Sequence, residues 1–551
     1  MRPILGTRSA PVTQVSEAAG EQTARATTRL RRFAATHGPF SIVVLAAVAV
    51  RTIVMLGYPP IMWFNDSYFY VADAVSRTAD TARPEGYPFL LWLLLPPHSF
   101  TLVAVLQAAM GVAMGIAIYA LLRRRGLPWW GATLCAVPAL FDAYEMMLEH
   151  LVASDTLFTF LITGAVVVLC WRDRPPVWAV LGAGLAIGYA TVVRSAGEPL
   201  LIAVALALLA RRAGWRRIVA LLAAGVVPIA AYMIWFHGVY GKYAITESQG
   251  TFLYGRVSSF AECSTMNPPA DLRVLCDPRP PGKRQGAEQY IWDRGTPLAA
   301  LTGPNSANRF TPRIESLTMR FAERAVLAQP LDYAAVVIHD TLRTFGWDRQ
   351  PSNATGSGPT FQFGETATPT PYWATNYPGD KAAQAIYHDL VRYGGPSLGH
   401  PRVVSPWAGL VRAYARFVYL RGTLLAVILL AGAVGVIARW RRWGGLVLLP
   451  WLAAVLLVVL PPMAAGFSYR YVAAAVPLAC LAAGLAFAGV RGFGGDGERV
   501  SVRGWLREHG LLGTEPAAQP GGVRVQPGGE PGTADGEPQP DSEDGALSAG
   551  E

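Results

Sequence analysis

The feature that most constrains this chain is a series of apolar segments long enough to cross a lipid bilayer. About ten runs of spanning or near-spanning length occur, since a membrane-spanning helix needs roughly 20 residues, and the run at 198–210 is the shortest of them. They lie at 40–57, 100–122, 128–145, 153–171, 176–193, 198–210, 216–237, 412–438, 444–463 and 470–490. Only 15% of the residues are charged and 52% are hydrophobic, with a mean hydropathy of +0.30. We therefore predict an all-α polytopic membrane protein with about ten transmembrane helices.

Short clusters of arginine between these runs predict the orientation of the chain. The clusters are Arg25, Arg29, Arg31 and Arg32; Arg123, Arg124 and Arg125; Arg172 and Arg174; Arg211, Arg212, Arg216 and Arg217; Arg439, Arg441 and Arg442. Counted over the ten runs, all of them fall on one side, and the Arg-rich side is normally cytoplasmic. This predicts a multi-pass protein of the cell membrane with both termini in the cytoplasm. Because the clusters act as topology signals, the net charge of +10 does not indicate a nucleic-acid partner.

The runs divide the chain into five parts. They are a cytoplasmic N-terminal segment at 1–39, a transmembrane module at 40–237 with its first outer loop at 58–98, an extracytoplasmic domain at 238–409, a second transmembrane module at 410–492, and an acidic Gly/Pro-rich tail at 493–551. The two terminal parts are predicted to be disordered. The first has no apolar core followed by a cleavage site, so we expect the first span to act as the targeting signal.

Two regions outside the bilayer have their own sequence character. Residues 66–80 of the first outer loop are predicted to form an amphipathic helix on the outer interface. The domain at 238–409 is rich in Pro, Gly, Asn and Thr, which predicts a mixed, loop-rich fold. It also contains Cys263 and Cys276, and an oxidising compartment makes a disulfide between them the expected pairing. Their spacing fits no zinc motif.

Charges that the topology does not explain are candidates for a functional site, because an ionisable group at membrane depth is costly. They are Arg51, Asp66, Glu85, Glu149, Asp155, Arg194, Glu198 and Arg470. On the predicted topology all of them lie towards the outer face. Charges of both signs gathered at one depth indicate a site that binds an anion and carries out acid–base chemistry.

Four short motifs, taken in order, resemble the GT-C membrane glycosyltransferases, in particular the branch related to protein O-mannosyltransferases and aminoarabinose transferases. They are "FNDSYFYVADAV", "EGYPFLLWLLL", "SDTLFTFL" and "RYVAAAVPL". That family has an acidic residue in its first outer loop, a Pro-containing motif entering the second span, an acidic residue starting the fourth, and Arg-Tyr before the last. The resemblance covers about residues 40–237 and 410–490. It implies transfer of a sugar from a polyprenyl-phosphate donor to a glycan, lipid or protein acceptor on the outer face.

The carboxylates are the candidates for proton transfer in such a reaction. The acceptor hydroxyl must lose a proton, and a positioned carboxylate can take it. We expect Asp66 to be this base, with Asp155 and Glu85 as further catalytic candidates. Glu85 stands in "EGYP", whereas the aminoarabinose branch has its Pro nearer to the acidic residue.

Arg194 and Arg470 are the candidates for holding the donor phosphate, because a guanidinium grips an anion bidentately and stays charged when partly buried. Tyr471 and Glu149 complete the expected substrate-binding set. For Arg51, deeper in the first span, we expect a buried pair with one of the carboxylates. The residues demand no cofactor, and a divalent cation beside the phosphate stays an open alternative.

Other interpretations of the same residues exist. Asp66 and Asp155 each stand where a helix N-cap is expected, and the arginines could form purely structural ion pairs. For the whole protein, the alternative is a lipid or glycolipid transporter or flippase. Carboxylates at the outer edge favour sugar transfer, whereas charges near the middle of the bilayer favour transport.

Overall fold

The computed structural model of the 551-residue chain describes residues 37–303, 306–348, 362–366, 381–395 and 401–488. Within these ranges the chain folds into helices joined by turns, and the sole β-type contact is an isolated bridge between Met62 and Leu151. The predicted all-α class is therefore confirmed for the described part. The terminal segments predicted to be disordered lie almost wholly outside it.

The helices fall into three consecutive groups along the chain. The first group is α1 (His37–Gly57), α2 (Asn65–Ser76), α3 (Gly86–Leu93), α4 (Phe100–Arg124), α5 (Trp129–Phe141), α6 (Ala143–Glu149), α7 (Asp155–Cys170), α8 (Val177–Val193), α9 (Glu198–Ala210) and α10 (Trp215–Tyr240). The second is α11 (Gln249–Ser258), α12 (Cys263–Met266), α13 (Ala287–Trp292), α14 (Pro297–Thr302), α15 (Pro312–Ala328), α16 (Pro330–Arg343) and α17 (Lys381–Gly394). The third is α18 (Trp407–Phe417), α19 (Gly422–Ala438), α20 (Leu448–Ala464), α21 (Tyr469–Ala473) and α22 (Val476–Phe487).

Several helices have the length and composition of membrane spans, as expected for a multi-pass protein. In the described part of the chain, four helices are long and apolar enough to cross a bilayer: α1, α4, α10 and the segment Tyr469–Phe487. The pair α18 and α19 makes a fifth if counted as one span. The apolar helices α5, α7, α8 and α20 and the segment Ser195–Ala210 are shorter, at 10–17 residues. The total of ten spans stays a prediction.

Two of the predicted runs are broken in the structure. The run at 128–145 ends as a helix at Phe141, because Asp142 leaves helical geometry and caps α6 by accepting the Tyr144 N–H at 2.7 Å. The run at 412–438 is split into α18 and α19, which are bent by 54°. The other carboxylate oxygen of Asp142 accepts the Leu420 N–H at 3.0 Å. The Asp142 side chain therefore connects the break after α5 with the break between α18 and α19.

Glycine allows the membrane helices α8 and α10 to approach closely. A Cβ at Gly188 would lie 2.0 Å from the Gly225 carbonyl oxygen, and one at Gly184 would lie 2.4 Å from the Leu221 carbonyl oxygen. Small residues at a helix crossing let two backbones approach closely. The resulting van der Waals contacts stabilise the pair of helices in a bilayer, where no hydrophobic effect brings them together. Arg194 directly follows α8, so the close packing of α8 on α10 also fixes the position of Arg194.

The domain at 238–409 is more regular than expected. Its described residues contain helices and no strand, so the prediction of a mixed fold was wrong for this part. Three of its prolines, Pro297, Pro312 and Pro330, stand at helix starts, where a missing N–H costs nothing. Apolar residues of α11, α12, α14 and α15 form a buried cluster of their own. Cys263 and Cys276 are joined by a disulfide at its edge, with their Cα atoms 6.1 Å apart.

We predict that Gly188→Ala lowers the stability of the folded protein in detergent, because the new Cβ would collide with the Gly225 carbonyl oxygen and push α8 from α10. The matched control is Gly182→Ala on the same helix, where a Cβ meets nothing within 4 Å. Alanine is the better helix former by about 1 kcal/mol, so the control should melt at the same temperature or slightly higher. Equal melting temperatures for the two variants would contradict the close crossing.

Candidate functional site

Hydrogen bonds hold the segment between α1 and α2 against the segment that precedes α7. At the bridge between Met62 and Leu151, the Met62 N–H donates to the His150 carbonyl at 2.8 Å, and the Val152 N–H donates back to Met62 at 3.2 Å. In the first turn of α2, the Ser67 hydroxyl donates to the Val152 carbonyl at 2.7 Å. These bonds hold the start of α2 against the start of α7, which brings together two acidic residues that are far apart in sequence.

Asp66 lies in the first turn of α2 but does not cap the helix. The N-cap position is Phe64, and its N–H donates at 2.9 Å to the hydroxyl of Ser67. The Asp66 carboxylate instead accepts hydrogen bonds from two guanidinium groups, those of Arg83 and Arg470. The capping interpretation of Asp66 therefore does not describe this structure.

Five side chains form an alternating series of charges, which we call the arginine–carboxylate chain: Arg83, Asp66, Arg470, Asp155 and Arg194. Arg83 donates from Nη2 to Asp66 Oδ1 at 2.8 Å, and Arg470 donates from Nη1 to Asp66 Oδ2 at 2.8 Å. Arg470 also donates from Nε to Asp155 Oδ2 at 2.7 Å. Arg194 donates to the other oxygen of Asp155. Arg470 thus links the two carboxylates, and Arg194 ends the series.

Aromatic rings support the three guanidinium groups. Arg470 lies over the Phe64 ring at 5.3 Å from its centroid, Arg194 over Tyr471 at 5.1 Å, and Arg83 over Phe69 at 4.6 Å. Such contacts hold the planes of arginines in place. Tyr471, expected to bind substrate, is therefore in the site as the platform of Arg194.

Burial differs along the arginine–carboxylate chain. The Asp155 side chain is 5% exposed and that of Arg470 is 7% exposed, whereas Arg194 is 18% and Asp66 is 21% exposed. The centre of the series is therefore dry, and two members remain open to an incoming molecule. Among the described residues, Asp155 is the one hydrogen-bond partner of the Arg194 side chain, so most of the guanidinium donors are available to a ligand.

The charges around Asp66 decide its protonation. Burial alone would raise the pKa of the carboxyl, but the neighbouring Arg83 and Arg470 outweigh burial and lower the pKa below its ordinary value. A carboxyl with a lowered pKa is ionised throughout the neutral range. Asp66 is consequently able to accept a proton but, while held by two guanidinium groups, is a weak base.

Four members of the arginine–carboxylate chain stand at or just beyond helix ends, and Arg83 lies in the loop before α3. Asp155 is the first residue of α7, Arg194 directly follows α8, and Arg470 is the second residue of α21. Asp66 is the second residue of α2. A cluster built from these helix ends lies at one end of the bundle and not in its middle.

Glu85 lies next to this series without joining it. Its side chain is 1% exposed, and it accepts the Asp80 N–H at 2.8 Å. Asp80 in turn accepts from Arg83 at 3.0 Å, so Glu85 supports the loop that carries Arg83. Burial and the nearby charges of Asp73 and Asp80 raise the pKa of Glu85 well above its ordinary value. A catalytic role for Glu85 stays a prediction, and this geometry gives it a supporting position.

Glu149, expected to bind substrate, is engaged elsewhere. It accepts two hydrogen bonds from Arg51, each 2.7 Å long, in a fully buried pair. Arg51 also donates to the Leu140 carbonyl at 2.7 Å. The buried pair expected for Arg51 is thus present. It joins α1 to the end of α6 and lies apart from the arginine–carboxylate chain, so the structure gives Glu149 a structural position.

Two residues of this region, Arg83 within the arginine–carboxylate chain and Glu288 near it, were not predicted from the sequence. Arg83 precedes the "EGYP" motif by two residues, and its position next to a candidate acid was the signal available. Glu288 belongs to α13 of the outer domain, and its charge acts on Arg470 and Asp66. Nothing in the sequence around Glu288 distinguishes it from an ordinary surface residue. Among the described residues, no group of three or more His, Cys, Asp or Glu side chains is arranged to hold a metal ion.

Comparison with known proteins gives distant structural likenesses. No protein-family model matches the chain, and no curated protein matches it significantly. A solved structure of the S. cerevisiae protein O-mannosyltransferase Pmt1-Pmt2 complex bound to the sugar donor is similar, with 15% identity and a TM-score of 0.32, over 43% of this chain and 36% of that chain. ArnT from Cupriavidus metallidurans, bound to undecaprenyl phosphate, is similar at 14% identity and a TM-score of 0.31, over 82% of this chain and 77% of that chain. Both are enzymes of the GT-C kind that the sequence motifs resemble.

Proposed function

We propose that this protein is a membrane glycosyltransferase that moves a sugar from a polyprenyl-phosphate donor to a hydroxyl acceptor on the extracytoplasmic face. The observation that carries the proposal is the arginine–carboxylate chain at one end of an apolar helix bundle. It combines two guanidinium groups, Arg194 and Arg470, with the ionised carboxylate of Asp66. A phosphate-linked donor needs this combination, because cations must hold the phosphate while a base receives the acceptor proton.

The donor phosphate binds between Arg194 and Arg470. These arginines already share one anion, since both donate to Asp155. A phosphate offers more acceptor oxygens than a carboxylate and can occupy the remaining donors of Arg194. Asp155 then serves to hold both arginines in place, and the polyprenyl tail extends into the bilayer beside the apolar helices.

The reaction itself is a single displacement. The acceptor oxygen forms a bond to the anomeric carbon of the sugar while the bond from that carbon to the phosphate oxygen breaks. The acceptor proton goes to the Asp66 carboxylate, and the bonding electron pair leaves with polyprenyl phosphate. The negative charge that grows on the leaving phosphate is stabilised by Arg194 and Arg470.

Binding of the donor also strengthens the base. With no phosphate present, Arg470 donates to Asp66 and helps to lower its pKa. A phosphate that engages Arg470 neutralises part of its charge, so the pKa of Asp66 rises towards its ordinary value. The carboxylate then accepts a proton more readily when the donor is in place than when the site is empty.

The position of the charges favours transfer over transport. A transporter holds its substrate near the middle of the bilayer, often at broken helices. The charges here come from helix ends and from α2, which lies in an outer loop. This location supports chemistry at the membrane surface. The sugar, the acceptor and the extracytoplasmic orientation belong to the proposal.

We predict that Arg194→Ala and Arg470→Ala each weaken binding of polyprenyl-phosphate mannose, measured with purified protein in nanodiscs. Lysine at either position should restore only part of the affinity, because the bidentate geometry of the guanidinium is lost. The control is Arg320→Ala, which removes an exposed arginine of α15 whose side chain is 50% accessible. Donor affinity equal to the parent in both Ala variants would place the anion site elsewhere.

For the base, we predict that Asp66→Asn retains donor binding while sugar transfer falls by roughly 100-fold or more, the usual contribution of a positioned base. Asparagine keeps the size of the side chain but cannot take the proton. Asp271→Asn, at an exposed aspartate of the outer domain, is the matched control and should leave the rate unchanged. Near-normal transfer by a well-folded Asp66→Asn protein would move the search for the base to Glu85 and Asp155.

A further inference from the structure

Helix α13 of the outer domain lies against the arginine–carboxylate chain. At its C-terminal end, the Trp292 ring lies under the guanidinium of Arg83, 6.0 Å from the ring centroid. Ile291 shares a buried cluster with Ala82, the residue before Arg83. At the N-terminal end, a Cβ at Gly466 would lie 3.1 Å from that of Ala287. Helix α13 therefore spans from the loop that carries Arg83 to the turn that leads into Arg470.

Glu288 is carried by the first turn of this helix, directly after Ala287. Its side chain is partly buried, and its charge acts on Arg470, Asp66 and Tyr471. Within the described ranges, no hydrogen bond or ion pair of the Glu288 carboxylate is recorded, whereas Asp66 and Asp155 each hold two arginines. Burial raises the pKa of Glu288, and the positive charge of Arg470 acts in the opposite direction.

Because no group in the described ranges uses it, the Glu288 carboxylate keeps its acceptor capacity for a ligand. The ligand must reach the Asp66 end of the site from the side of the outer domain. The donor's lipid tail comes from the apolar helices, so its phosphate occupies the opposite side, at Arg194 and Arg470. In an in-line displacement the acceptor approaches from the side away from the leaving phosphate. The acceptor therefore passes α13.

We propose that Glu288 is a positioning residue that binds the acceptor, and that this acceptor is a sugar. The reacting hydroxyl meets Asp66, and Glu288 accepts a hydrogen bond from a neighbouring hydroxyl of the same ring. Two carboxylates at one end of the site suit a molecule with adjacent hydroxyl groups, whereas an acceptor with a single hydroxyl would leave Glu288 without a partner. The inference rests on the proposed transferase function.

The partition of one donor between two acceptors tests this role. Purified protein in nanodiscs is given polyprenyl-phosphate mannose together with methyl α-mannoside or methyl α-arabinofuranoside, and glycosylated product and free mannose are both quantified. Water has no second hydroxyl for Glu288 to hold, so hydrolysis serves as the internal reference. A residue that only supports the fold would lower transfer and hydrolysis together and leave their ratio unchanged.

We expect Glu288→Gln and Glu288→Ala to lower the ratio of glycoside formation to hydrolysis by about tenfold or more, the effect of losing one charge-assisted hydrogen bond. Donor binding should stay at the parent level in both variants. The matched control is Glu323→Gln, at an exposed carboxylate of α15 in the same domain, which should leave the ratio unchanged.

Three results would overturn the inference, and they are distinguishable. An unchanged ratio in both Glu288 variants would remove Glu288 from acceptor binding while leaving the transferase intact. Hydrolysis without any glycoside formation by the parent protein would refute the sugar acceptor but keep the donor chemistry. Neither product from the parent would refute the proposed function itself, and the role of Glu288 with it.

Discussion

Arg470 makes the interaction on which the rest of the site depends. Its guanidinium donates to Asp66, 404 residues earlier in the chain, and to Asp155, 315 residues earlier. Without this cation, Asp66 would keep only Arg83 and Asp155 only Arg194, and no positive charge would lie between the two carboxylates. Removing one partner of a buried ion pair is strongly destabilising, because the remaining charge has lost its water. Arg470 therefore joins the two carboxylates and fixes the contact between the last helices and the start of α2.

The elements around Arg470 are rigid where the chemistry needs them to be. The bridge between Met62 and Leu151 holds α2 against the start of α7, and the close crossing at Gly188 fixes the helix that ends before Arg194. Charges placed at the ends of packed helices keep their geometry when a ligand arrives. The outer domain adds α13, which approaches the same charges from another side through Trp292 and Ala287. In the proposed reaction, donor and acceptor reach this site from separate sides.

The sequence predicted those site residues whose surroundings made them conspicuous. Asp155, Arg194 and Arg470 border apolar runs, where a charge is rare and costly, so each could be recognised without a structure. The structure brings these three together with Asp66. Arg83 and Glu288 could not be recognised in this way, because they stand in polar segments where charged residues are ordinary. Their position depends on contacts between distant parts of the chain.

The same reasoning explains where the predicted fold and the observed fold differ. The length of the apolar runs predicted the membrane helices, but Asp142 was included in the run at 128–145, and the break that its capping carboxylate makes there was not predicted. In the outer domain, prolines at helix starts were taken as loop signals, although Pro312 and Pro330 each open a helix. Glu149 was taken as a ligand for substrate because it is buried and charged, yet Arg51 uses both of its oxygens.

The central claim is that a polyprenyl-phosphate donor binds between Arg194 and Arg470. A cryo-electron-microscopy structure of the protein in nanodiscs with polyprenyl-phosphate mannose tests this claim most directly. The account predicts phosphate density within hydrogen-bonding distance of both guanidinium groups, about 3 Å, with the anomeric carbon facing Asp66. A phosphate bound elsewhere on the protein, with Asp155 and Asp66 still holding Arg194 and Arg470 as they do without ligand, would contradict it.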